Sequence, residues 1–185
     1  VIARRYIGAA NFLTVFRLCL LPVVLYLLTH MDGGNSYRWI ALGMLIFMQF
    51  TDIADGFLAR YGQKLYPIKN LFGAVADPVA DKLYINSTYL TLSSIGLFPW
   101  WGSIFFAVKD ASLMLAWALV TRIKGKVEVK PNFFGKAADS IQAILIFCIV
   151  GGINQAYVQP AAIFVACCVV AAAASYALRD AKIAN

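Results

Sequence analysis

Residues 39–59 read WIALGMLIFMQFTDIADGFLA. At about 1.5 Å of rise per residue, a helix of this length covers about 30 Å, the thickness of the hydrocarbon core of a bilayer. The stretch carries only two charges, Asp52 and Asp55. It is apolar enough to span a membrane, yet it keeps two carboxylates at a depth where each costs about 2.5–3.5 kcal/mol or more unless compensated. The first property predicts a membrane helix. The second demands a partner for the acids.

Five further apolar runs of spanning length flank it, near residues 11–29, 73–97, 100–121, 136–153 and 158–178. Turn formers separate them: Asp32 to Asn35, Gly62 to Pro67, Pro99, Lys130 to Asn132, and Gly151 to Pro160. Of the 185 residues 62% are hydrophobic and 14% charged, far too apolar for an ordinary water-soluble domain. Six spans with short connections use nearly the whole chain. The expected fold is an all-α integral membrane protein, six transmembrane helices in one bundle, forming a single domain over residues 1–185.

The six-helix assignment also sorts the basic residues. Arg4, Arg5, Arg60, Lys64, Lys69, Arg122, Lys124, Lys126, Lys130, Lys136, Arg179 and Lys182 fall on one side and Arg38 alone on the other; Arg17, Lys82 and Lys109 lie within spans. Both termini are therefore expected on the cytoplasmic or matrix side. The net charge of +7 is explained by these loops, which attract anionic headgroups, so nucleic acid is not an expected partner. The four cysteines, Cys19, Cys148, Cys167 and Cys168, sit in apolar runs without metal-ligand spacing and read as small apolar side chains.

Asp52, Asp55, Asp77, Asp81 and Asp110 all fall inside predicted spans. Asp52 and Asp55 are three apart and Asp77 and Asp81 four apart, so each pair shares a helix face. The second helix descends to the basic side and the third starts there. That puts Asp55 roughly 8 Å above Arg60 and Asp81 roughly 12 Å above Gly73, at one level. Four carboxylates gathered at one depth repel one another unless cations lie between them, and hard oxygen ligands suit Mg²⁺, Mn²⁺ or Ca²⁺. The competing reading pairs the acids with Arg60, Lys82 and Lys109 as buried ion pairs. It accounts for a single aspartate more easily than for four together. Small residues such as Gly56 and Ala59 can serve helix packing alone.

Taken as one pattern, Asp52-Ile-Ala-Asp55-Gly56-Phe-Leu-Ala59-Arg60, a spacer, then Gly73-Ala-Val-Ala-Asp77-Pro-Val-Ala-Asp81 resembles the signature of the CDP-alcohol phosphatidyltransferases at eight positions. The spacer, Tyr61 to Phe72, is longer than is usual in that family. Asn11, Thr14, Arg17 and Pro22 resemble the opening helix of the cardiolipin synthase and phosphatidylglycerophosphate synthase branch. Lys109-Asp110, Lys130-Pro131, Lys136 and Gln142 are similar to the CMP-forming cardiolipin synthases, and Gly135-Lys136 to the phosphatidylglycerophosphate enzymes.

The resemblance implies metal-dependent transfer of a phosphatidyl group from CDP-diacylglycerol to an alcohol, with release of CMP. It implies Asp52, Asp55, Asp77 and Asp81 as ligands of two divalent ions, Mg²⁺ or Mn²⁺, and Asp81 as the general base. Asp52, Asp55, Gly56, Ala59, Arg60, Gly73 and Asp77 would bind the nucleotide. Arg17, Lys82, Lys109 and Lys136 are the basic residues available to an acceptor or lipid phosphate. Phosphatidylglycerol, giving cardiolipin, is the expected acceptor, with glycerol 3-phosphate as the alternative. A homodimer in the mitochondrial inner membrane or a bacterial plasma membrane, its site facing matrix or cytoplasm, is also implied. His30, at the outer end of the first span, reads as an interfacial residue away from the acids. The rival from another class is an ion or proton transporter, which also uses intramembrane carboxylates. It should distribute polar residues over the full membrane depth, whereas here they crowd toward the basic side.

Overall fold

The computed structural model describes residues 2–31, 35–65, 71–124 and 133–184; within these helices the side chains of 2–11, 35, 54–65, 71–78, 117, 120–121, 123–124, 133–136 and 173–184 lie outside the described set. The described residues form six helices: α1 (Ile2–Thr29), α2 (Asn35–Leu65), α3 (Leu71–Ser94), α4 (Trp100–Lys124), α5 (Phe133–Val150) and α6 (Gln155–Ala184). Each predicted span falls on its own helix. Several helices outrun their spans, because a span ends where charge arrives, whereas a helix ends where its hydrogen bonding does. Thus α2 continues six residues past Ala59, through Arg60, Gln63 and Lys64, all good helix formers, and takes Gly62 into its interior rather than breaking there. Pro160, expected in a break, is likewise the sixth residue of α6. Its ring costs one backbone bond near the helix start, a defect that membrane helices tolerate.

Within the described residues, two helices are long and apolar enough to cross a membrane by length and composition alone, through Phe12–Thr29 and Gln155–Ala172. Side-chain placement is consistent with a membrane helical bundle. On α2, Trp39, Ile40, Ile46, Phe47, Phe50 and Ile53 are exposed, while Arg17, Thr88, Ser103, Asp110 and Gln142 are buried. Apolar rings on an outer face and polar groups inside fit a lipid surround rather than water.

The chain gathers into two compact units, Val1–Thr91 and Leu92–Asn185. In the first, α1 packs on α2. The inward stripe of α1 runs through Thr14, Arg17, Val24, Leu28 and Met31, and that of α2 through Ala41, Leu45 and Met48, both at helical spacing of three and four. In the second unit, α6 packs on α5 and α4, presenting Val158, Ala162, Val165, Val169 and Ala172.

Two helices, α3 and α5, stop by the same device. At the end of α3, Gly96 takes φ +77°, the amide of Leu97 donates to the carbonyl of Leu92 at 2.9 Å, and that of Gly96 to Ser93 at 3.1 Å. At the end of α5, Gly152 takes φ +94°, Ile153 donates to Cys148 at 3.0 Å, and Gly152 to Ile149 at 3.1 Å. Each is a left-handed cap that satisfies carbonyls the helix itself leaves without partners, and glycine suits it because it has no Cβ to clash. Asn154 then caps α6, its Oδ1 accepting from the amide of Ala156 at 3.0 Å.

Candidate active site

The stripe that buries Ala41, Leu45 and Met48 on α2 brings Asp52 next, four residues further, onto the face packed against α1. There it meets Arg17. The guanidinium Nη1 donates to Asp52 Oδ1 at 2.5 Å, between residues 35 apart in sequence. The two ends of this pair differ in environment: the Arg17 side chain is 3% exposed and that of Asp52 34%. The cation is interior, and its carboxylate opens outward. A buried arginine is tolerated only when paired, so the pairing accounts for Arg17 in a membrane-depth helix.

On α3 the corresponding stripe runs Ala80, Tyr84, Thr88 and Leu92, all buried, with Asp81 half-buried beside it. Tyr84 Oη donates to the Leu45 carbonyl of α2 at 3.3 Å, which ties α3 to α2 two turns from Asp52 and one turn from Asp81. The Tyr84 phenol lies within electrostatic reach of Asp81, Arg17 and Asp52. An acid from each of two helices and a cation from a third are therefore grouped around one buried tyrosine. Sequence reading did not single out Tyr84. The available signal was an aromatic hydroxyl three residues after Asp81, in a helix whose membrane depth requires every polar group to find a partner.

Of the other site candidates, Asp55, Gly56, Ala59 and Arg60 stand on the continuous backbone of α2, and Gly73 and Asp77 on that of α3; their side chains lie outside the described residues. Lys82 is half-buried on α3. Lys136 falls in the first turn of α5, and its side chain is also outside the described set. Lys109 belongs to a separate cluster within the second unit. Its Nζ lies 2.8 Å from Asp110 Oδ1 and 3.2 Å from Asp139 Oδ1, joining α4 to α5. Lys109 is thus already committed to acids of its own unit. His30 is exposed at the end of α1, its Nδ1 2.9 Å from the Tyr26 carbonyl and its ring 4.1 Å from that of Tyr26.

The donor set suits a hard divalent cation. Asp52 offers a carboxylate that is 34% exposed, and Asp81 stands on the neighbouring helix. Among the described residues no three acids, histidines or cysteines gather as a ligand group, and two of the four aspartates of the pattern lie outside that set.

Comparison with known proteins bears on the same residues. The family profile of CDP-alcohol phosphatidyltransferases matches residues 8–176. A protein of Mycobacterium tuberculosis named as a probable phosphatidylglycerophosphate synthase is 32% identical over 143 residues, 77% of this chain and 65% of its own. A cardiolipin synthase (CMP-forming) of Streptomyces coelicolor is 32% identical over 136 residues, 72% of this chain and 60% of its own. The human protein of that name is 29% identical over 151 residues, 74% of this chain and 48% of its own. This chain thus spans two-thirds or less of the length of these relatives.

Proposed function

Because the chain belongs to the CDP-alcohol phosphatidyltransferase family, we propose that it is an integral membrane enzyme that transfers a phosphatidyl group from CDP-diacylglycerol to an alcohol and releases CMP. The observation that carries this reading is the family match over residues 8–176, within which all four aspartates of the pattern stand on two consecutive helices, α2 and α3. The six helices cross the bilayer, both termini lie on the basic, cytoplasmic or matrix side, and the active protein is a homodimer.

In this proposal Asp52, Asp55, Asp77 and Asp81 hold two divalent ions, Mg²⁺ or Mn²⁺. When bound, the ions supply neutralisation of the pyrophosphate and a more acidic acceptor hydroxyl. Gly56, Ala59 and Gly73 let the nucleotide approach the helix backbones, and Arg60 holds a phosphate. Asp81 accepts the proton of the acceptor hydroxyl as its oxygen bonds to the lipid-side phosphorus; the bond from that phosphorus to the bridging oxygen breaks, and CMP departs with the electron pair.

Phosphatidylglycerol is the proposed acceptor, which makes the product cardiolipin. The names of the Streptomyces and human relatives support it. Glycerol 3-phosphate is the second reading, favoured by the name of the mycobacterial relative. The test is purified protein with CDP-diacylglycerol and Mn²⁺ or Mg²⁺, offered each acceptor in turn while CMP and lipid products are followed. Cardiolipin from phosphatidylglycerol is expected. Product from glycerol 3-phosphate alone overturns the acceptor, and absence of CMP release with every acceptor overturns the activity.

A further inference from the structure

We infer that Arg17 is a positioning residue for Asp52, and that it acts from α1 on the metal-holding carboxylate rather than on a substrate phosphate. The inference rests on the proposed metal site. Sequence alone leaves Arg17 among the candidates for an acceptor or lipid phosphate, since a cation within a span can serve either purpose.

Three observations decide between these roles. The Arg17 side chain is 3% exposed, which leaves little of it for an incoming phosphate. Its Nη1 is already spent on Asp52 Oδ1 at 2.5 Å. And the Arg17 stripe of α1 continues directly into the packed core through Val24 and Leu28, so the guanidinium is held by the α1–α2 interface itself. Asp52, by contrast, is 34% exposed, and among the described residues Arg17 is its hydrogen-bonding partner. A carboxylate with a third of its side chain exposed has several rotamers available. Fixing one oxygen from behind selects the rotamer and presents the other oxygen, which is how outer partners orient metal-binding carboxylates.

The alternative electrostatic role has the opposite sign. A guanidinium that only contributed positive charge would repel a divalent ion, and its removal would tighten metal binding. Orientation predicts weakening, and the partial exposure of Asp52 screens the charge term.

The experiment measures Mn²⁺ binding directly, by the electron paramagnetic resonance signal of free Mn²⁺ over the full chain in nanodiscs, alongside kinetics of CMP release. Arg17→Gln should weaken Mn²⁺ binding by about 10- to 100-fold, the usual effect of losing an orienting partner. The KM for CDP-diacylglycerol at saturating Mn²⁺ should stay near the parent value. In an Asp52→Asn background the Arg17→Gln effect should vanish. Parent-like or tighter Mn²⁺ binding overturns the inference, as does a raised KM for CDP-diacylglycerol with unchanged Mn²⁺ binding. If Arg17→Gln does not yield a monodisperse helical protein, Arg17→Lys carries the test. It keeps the buried charge but loses the planar fork, so a smaller loss in the same direction is expected, and parent-like binding overturns the inference. Asp52→Asn alone separates the premise from the inference: undiminished Mn²⁺ binding there sinks the metal site itself.

Discussion

Arg17 and Lys109 are both cations sunk in apolar helices, with side chains 3% and 13% exposed, and both meet aspartates across a helix interface. Arg17 pairs with the carboxylate of Asp52, which keeps a third of its side chain open. Lys109 faces two, and one of them, Asp110, is 1% exposed. The first arrangement fixes one oxygen of a carboxylate that stays partly exposed. The second closes an acid into the interior and bridges α4 to α5. Under the proposed function these two ion pairs, similar in sequence as a base and an acid, have different uses: one orients a group for chemistry, the other holds helices together.

The largest test of this contrast lies in the first unit. Asp81→Asn should lower CMP release by at least about 100-fold, as expected for loss of a general base that also binds metal, while thermal unfolding in detergent stays near the parent. A variant that turns over normally would remove the chemical role from that side of the comparison. Asp77→Ala should first raise the Mn²⁺ concentration needed for half-maximal CMP release.

Lys109→Met should have its effect on stability instead. It removes the ammonium that lies 2.8 Å from the buried Asp110, at a cost of about 3–5 kcal/mol read from thermal unfolding. Adding Asp110→Asn should recover part of that loss. Arg17→Gln should cost less stability than Lys109→Met, because Asp52 can hydrate and Asp110 cannot. The reverse order would erase the distinction between the two pairs.

Smaller changes sharpen the structural side. Gly96→Ala should cost about 1–2 kcal/mol, the penalty of a left-handed non-glycine residue. A Cβ there meets nothing within 4 Å, so the whole cost is in the backbone. Ser103→Ala removes the buried 2.6 Å hydrogen bond between Ser93 and Ser103 and should cost about 0.6 kcal/mol, the usual worth of such a bond inside a membrane protein. Neither variant should move the Mn²⁺ dependence of CMP release.

The positions of the six helices and the aspartate pattern on α2 and α3 were legible before any coordinates, because apolar run length and i, i+3 or i, i+4 spacing are local properties of a chain. Helix ends were less so. Gly62 and Pro160 read as punctuation, yet α2 and α6 run through them, since the gain from continued hydrogen bonding outweighs one poor residue. The glycine stops at Gly96 and Gly152 depend on a φ that sequence only permits.

Residue order alone thus determined that the chain is a helical membrane protein carrying two pairs of acids on consecutive helices, because hydrophobic length and helical periodicity act within a few turns. Which base meets which acid was decided by packing. Arg17 finds Asp52 across 35 residues and Lys109 finds Asp139 across 30, and no local pattern encodes either distance. The tertiary arrangement set those partnerships because a charge away from water must be matched by whatever opposite charge the neighbouring helix brings to the same depth.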